Sequence, residues 1–314
     1  MLRSHDSGVF CNGEPLLRLD LYGDRPKNTP RGEKREMMNL FRRPLLIAGF
    51  IIAAVLCFIA AFGAVLCPNN PTATDMQNIL APPGGAYPLG TDDLGRCILS
   101  RLIAGTGATL GTALVIESII FTFGMVVGML AGYFDGAVDG AVVITIDSLL
   151  AFPSIILALV IAGILGAGLM NLVIAMCCVY WVSHARVARS ITRSLSGQTF
   201  VLSARVAGNG YGKIILRHIL PHVIPKMAVY FALDISSIII SVSSLSFIGL
   251  GVRPPAPEWG AMLNESRAYM TTNPLALILS IVCILIAVAG FQMIGEGIRD
   301  LYDTRETQLY SRKR

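Results

Sequence analysis

Leu45–Cys67 reads LLIAGFIIAAVLCFIAAFGAVLC, 23 residues without a charged side chain. An α-helix rises about 1.5 Å per residue, so about 20 apolar residues cross the roughly 30 Å of hydrocarbon in a bilayer. Leu275–Met293 is a second uncharged run, of 19 residues. Between them lie weaker windows at 108–133, 138–165 and 223–250, each with a few ionisable or edge charges, and a shorter one at 168–186 that ends at His184–Arg186. Apolar residues make up 54% of the 314 and charged ones 14%, whereas a soluble domain holds about 25% charged residues. The pattern predicts an all-α polytopic membrane protein with six transmembrane helices. A cleaved leader is not expected, because 44 largely polar residues precede the first apolar run, where a leader has a short basic start. A lipoprotein box at Ala64–Cys67 fails on the bulky Leu66.

Charge assigns the compartments. The first 44 residues hold 9 Lys plus Arg, 186–226 hold 7 and the tail from 294 holds 5; Arg96, Arg101, Arg253 and Arg267 complete the 25. Cytoplasmic loops carry the positive excess, so both termini are expected in the cytoplasm. The net charge of +5 is thereby a topology signal, and nucleic-acid binding is set aside.

The expected organisation is a cytoplasmic tail at 1–44, a first span at 45–67, an external segment at 68–107, and a core of five spans at 108–298. A cytoplasmic loop at 187–222, a second external loop at 251–274 and a C-terminal cytoplasmic tail at 299–314 complete it. Within the external segment, Asp92–Ile103 reads as a short interfacial helix capped by Asp92. Gly124, Gly128, Gly132, Gly136 and Gly140 recur four apart and predict a helix face at which backbones approach closely.

Several motifs exclude chemistry. Seven cysteines show no C-x-x-C pair, and most lie in apolar stretches as small hydrophobes. Gly208–Lys213 fails as a phosphate loop, because Ala207 stands where the first glycine is needed and Ile214 replaces the hydroxyl that would hold magnesium. His218 and His222 have the i, i+4 spacing of a metal pair, but Pro221 between them spoils a regular helix. No nucleophile–base constellation, metal site or cofactor is readable, so the chain is not expected to be an enzyme. A charge at the bilayer centre costs about 2.5–3.5 kcal/mol, which makes Glu117, Asp147 and Asp234 candidates for the bundle interior and a translocation path.

The segment 198–215 interleaves Phe200, Val201, Val206, Tyr211 and Ile214 with Arg205 and Lys213. It reads as a short helix outside the bilayer, near 199–213, resting on headgroups or entering a partner's groove. Ser203–Gly208 followed by Ile215–Pro221 resembles the cytoplasmic coupling motif of ABC importer permeases, and more narrowly the second permease of the dipeptide, oligopeptide and nickel importers. Pro88–Arg96 with Ser100-Arg101, Ala131–Phe134, Asp147–Pro153, Leu245–Gly251 with Pro254-Pro255 and Trp259-Gly260, and Gly295–Asp300 match that family in order, over about residues 42–305. The chain departs from the family pattern at several positions: Leu202 and Val242 stand where acids are usual, Ser203 where Ala is, Cys97 where Asp is, Tyr87 where His is, and His222 where Asn is. Asp234, eight residues before Val242, is a candidate replacement for the second acid.

The resemblance implies an inner-membrane permease that pairs with a second permease, two cytoplasmic ATPases and an external solute-binding protein. It would import peptides or nickel and other metal chelates by alternating access. Phe200, Ala204, Arg205, Gly208 and Pro221, supported by Lys213 and Arg217, would transmit the ATPase motion. A peptide exporter subunit and an ATP-independent channel are the alternatives. The channel leaves the coupling motif unexplained.

Overall fold

In lipid no water satisfies backbone N–H and C=O groups, so a chain with such apolar stretches closes its hydrogen bonds within helices. The computed structural model describes residues 44–311. The N-terminal tail, up to residue 43, lies outside them. The described chain is helical, with irregular connections and one isolated Thr91–Cys97 bridge. In chain order the helices are α1 (Pro44–Leu66), α2 (Ile98–Tyr133), α3 (Ala137–Leu150), α4 (Ser154–Leu165), α5 (Leu169–Ser196), α6 (Thr199–Val206), α7 (Tyr211–Phe247), α8 (Trp259–Ser266) and α9 (Leu275–Ser311). Among the described residues five helices are long and apolar enough to cross a membrane, and six spans result if the bent pair α3–α4 counts as one.

That pair corrects the reading of 138–165 as one ordinary helix. Its halves meet at 86°, around Ala151–Pro153. Pro153 has no N–H to continue the ladder and disfavours helical geometry in the residue before it, so the helix stops and restarts.

Three further boundaries move. The expected interfacial helix Asp92–Ile103 does not form, because α2 begins at Ile98 and runs on to Tyr133. Asp92 instead closes a turn: its carboxylate accepts the N–H groups of Leu94 and Arg96, and Gly95 takes a φ of +73° that a side chain would resist. The segment 187–222, expected as a loop, is mostly helix, since α5 continues to Ser196 and α7 starts at Tyr211, and α9 runs through the expected boundary at 298. Polar helix ends had hidden these continuations, because an apolar window stops where the bilayer stops and a helix need not.

Pro221 sits inside α7 and does not break it. Ile215–Ile219 is a π-helical turn, with the Leu220 N–H donating to the Ile215 carbonyl. The wider turn accommodates a residue that cannot donate to the carbonyl four positions back.

Packing centres on α2. A methyl placed on Gly124, Gly128 or Gly132 would collide with the carbonyls of Trp181, Ala185 and Arg189 on α5, so these glycines set the approach of the two helices. Gly136 and Gly140 meet nothing within 4 Å, and Gly136 at φ +86° ends the run as a turn. The stripe of five is therefore a packing face of three. The same device joins α1 to α9, where Gly49 lies against the Gly290 carbonyl and Gly297 against Leu46.

Gly128→Leu should cost at least about 1–3 kcal/mol through overpacking and lower the melting temperature in detergent. Gly140→Ala, inside α3 with open space around it, should leave the melting temperature the same or slightly higher. Thermal unfolding followed by intrinsic fluorescence checks both.

Candidate functional site

At one end of the bundle α6 lies in a seat built by the ends of α2, α5 and α7. Val201 and Ala204, spaced one turn apart, are buried against a cluster containing Met129, Tyr133, Ile214, Ile219 and Val223. The opposite face carries Phe200, Leu202 and Val206, exposed by 39%, 46% and 89%. An eight-residue helix has little stability alone, so its termination and seat matter. Gly208, at φ +74°, ends it with paired bonds: its own N–H donates to the Arg205 carbonyl and the Asn209 N–H to the Ala204 carbonyl. A Schellman closure of this kind needs a left-handed residue, and glycine supplies it. The expected coupling helix near 199–213 is therefore two pieces, α6 and the first turn of α7, separated by this cap.

Arg205 reaches back to the end of α2. Its guanidinium carbon lies 4.9 Å from the Tyr133 ring centroid, and its Nε donates to the Tyr133 hydroxyl at 3.3 Å. Tyr133 and Phe134 meet the Tyr211 ring edge-on at 6.1 and 5.6 Å, which ties α2 to the start of α7. Phe200 lies 5.1 Å from the His222 ring. Of the residues expected to transmit motion, Phe200, Arg205, Gly208, Lys213, Arg217 and Pro221 are exposed on this surface, whereas Ala204 faces the seat.

The opposite end is tied by buried charge. Arg96 donates to Asp92 and to Glu265, each at 2.6 Å, and Arg101 donates to the same Glu265 oxygen at 2.8 Å. Glu258 caps α8 by accepting the Gly260 and Ala261 N–H groups, and it accepts the Thr109 hydroxyl from α2. Trp259 is fully buried, with its indole N–H on the Leu102 carbonyl. Pro88–Arg96, Ser100-Arg101 and Trp259-Gly260, distant in sequence, thus form one polar joint.

Between the two ends, the structure brings two of the three candidate acids together. Glu117 on α2 is completely buried, and His184 on α5 points its Nε2 at Glu117 Oε1, 3.2 Å away, and at Asp234 Oδ2 on α7, 3.4 Å away. Asp147, expected in the interior, is not there: it is 60% exposed and accepts a bond from Arg186 at 2.8 Å. Arg186 on α5 offsets this charge, so burial among other acids is unnecessary. Val242 is packed in the main core, two turns along α7 from Asp234.

His184 was missed as a site residue. In sequence it marks the basic edge of a short apolar window, but α5 continues twelve residues beyond it, which places it inside the helix. The available signal was its position: Glu117, Gly124 and Gly128 share one face of α2, and the Gly124 contact falls on His184 and its neighbours.

Residues 124–305 match the family model described as binding-protein-dependent transport system inner membrane component. The chain belongs to this family. Residues 35–83 also match the N-terminal transmembrane domain of oligopeptide transport permease C. The nickel transport system permease protein NikC of Escherichia coli K12 is 38% identical over 253 residues, 81% of this chain and 91% of that protein. The glutathione transport system permease protein GsiD of Shigella boydii serotype 4 is 36% identical over 299 residues, 95% of this chain and 96% of that protein. As a member of the family, the chain is an inner-membrane permease subunit of an ABC importer. It is not an enzyme, and ATP hydrolysis and external solute capture belong to partner subunits.

Arg205→Ala should loosen α6, since a cation over an aromatic face contributes about 0.5–1 kcal/mol at an exposed site. Amide hydrogen exchange across Thr199–Val206 should rise roughly two- to fivefold, while exchange in α8 stays as in the parent protein.

Proposed function

We propose that this permease works as one half of a heterodimer with a second permease, and that α6 is the coupling helix received by an ATPase. The single observation that carries this is the two-sided character of α6: Val201 and Ala204 lock it to the bundle while Phe200, Leu202 and Val206 face outward. A helix resting only on headgroups needs no close-fitting seat. One that passes force needs a rigid connection to the moving helices on one side and an anchor for the motor on the other. Arg205 on Tyr133 and Tyr211 against Phe134 supply the connection, linking α6 to α2 and α7.

ATP binding draws the two ATPases together, the seated coupling helices follow, and the bundle opens to the opposite face. The energy comes from the different affinity of ATP for the two states. Phe200 and Val206 anchor, Gly208 fixes where the helix ends, and Lys213, Arg217 and Pro221 flank the contact. Glu117 and Asp234 are assigned to the translocation path, and Asp147 to its α3–α4 edge. The positive excess puts the α6 surface and both termini in the cytoplasm. The cargo is a small peptide or a nickel or other metal chelate, the classes to which the names of the two relatives point.

Val206→Asp places a charge on a fully presented position without touching the seat. With the permease still folded, ATPase co-purification and ATP-dependent uptake in proteoliposomes should fall at least tenfold, as loss of a central interface residue costs about 2 kcal/mol. Uptake at the parent rate, or uptake without any ATPase, would remove the coupling assignment. An alkaline phosphatase fused after Arg314 should be inactive in cells, and an active fusion would reverse the orientation. Mass spectrometry and calorimetry on the cognate binding protein identify the cargo.

A further inference from the structure

We propose that Glu117, His184 and Asp234 form a binding site for a divalent first-row transition-metal ion inside the helix bundle. The three side chains come from α2, α5 and α7, and one ligand atom of each lies within 4.8 Å of the others. The proposal does not rest on proximity alone. Both Glu117 carboxylate oxygens and His184 Nε2 are enclosed and have no hydrogen-bond partner, although the two residues are 0% and 2% exposed. Leaving such groups unsatisfied in a low-dielectric interior costs several kcal/mol, and a cation at their point of convergence relieves that cost.

The two His184 spacings are also compatible with shared coordination of one ion. Two donors about 2.05 Å from a tetrahedral ion stand about 3.3 Å apart. The Nε2 distances are 3.2 and 3.4 Å, and neither contact has hydrogen-bonding geometry. One imidazole nitrogen with two carboxylate oxygens suits nickel, cobalt or zinc, and the absence of sulfur from the donor set disfavours copper(I). Access is one-sided. Asp234 is 37% exposed, whereas Phe121 lies edge-on to both His184 and Phe231 and walls the other flank. An ion could therefore enter past Asp234, with open coordination positions for water or a chelating ligand.

The site rests on these three residues and not on the coupling assignment. The test uses the transporter purified with the subunits it assembles with, carrying no histidine tag, and titrated with cobalt(II) chloride. The parent protein should develop saturable visible d–d bands of a low-coordinate ion, which nickel(II) or zinc(II) chloride abolishes by displacement. His184→Gln and Asp234→Asn should each weaken cobalt binding at least about tenfold, since loss of even a residue supporting a ligand costs that much. Asp234→Asn, at the open edge and equal in size, guards against a mere folding failure, with gel filtration as the check. A parent spectrum no different from aqueous cobalt, or parent affinity in the folded Asp234→Asn protein, overturns the site.

Discussion

The contact on which the rest of the molecule depends is the backbone approach of α2 to α5. Helices surrounded by lipid gain nothing from burying leucine against leucine, since lipid is as apolar as the side chain, so association relies on close van der Waals packing. Gly124, Gly128 and Gly132 remove the side chains that would hold the two helices apart. α2 is 36 residues long, and it carries the polar joint at its start, Glu117 in its middle and Tyr133 at its end. Fixing α2 against α5 therefore fixes the geometry of all three.

Charge is treated differently at each level of this helix. At its start Arg96 and Arg101 are buried and share Glu265, so each guanidinium has a partner and the irregular segment before α2 is held to α8. Breaking such a buried pair leaves an uncompensated charge, whereas the intact network need add little to stability. In the middle, both Glu117 carboxylate oxygens and His184 Nε2 are enclosed without a hydrogen-bond partner. A polar network left half satisfied in a low-dielectric interior costs stability. At the far end Arg205 lies over the Tyr133 ring and donates to its hydroxyl, so its charge is held without burial.

The α6 surface shows how a short helix can be both fixed and available. Its Schellman cap at Gly208 limits it to eight residues, and the next turn belongs to α7. Arg205 joins α6 to Tyr133, and the Tyr133 and Phe134 rings meet Tyr211, so α6 is attached to both α2 and α7. The π turn at Ile215–Ile219, which admits Pro221, lies between that contact and the apolar part of α7.

The sequence by itself determined the number and approximate position of the apolar crossings, the glycine spacing, the coupling motif and its family. These are properties of consecutive residues, because a helix presents its own periodicity wherever it lies. It placed Glu117 and Asp234 among the interior acids but paired Asp234 with Val242, and it gave Asp147 the same standing. Only the tertiary structure decided that Asp147 faces Arg186 at the surface, that α3 and α4 meet at 86°, and that His184 joins Glu117 and Asp234. The physical reason is that a charge's partner is chosen by how neighbouring helices are rotated and how closely they approach. That rotation follows from side chains on other helices, such as the glycines of α2, and leaves no trace in the residues next to the charge.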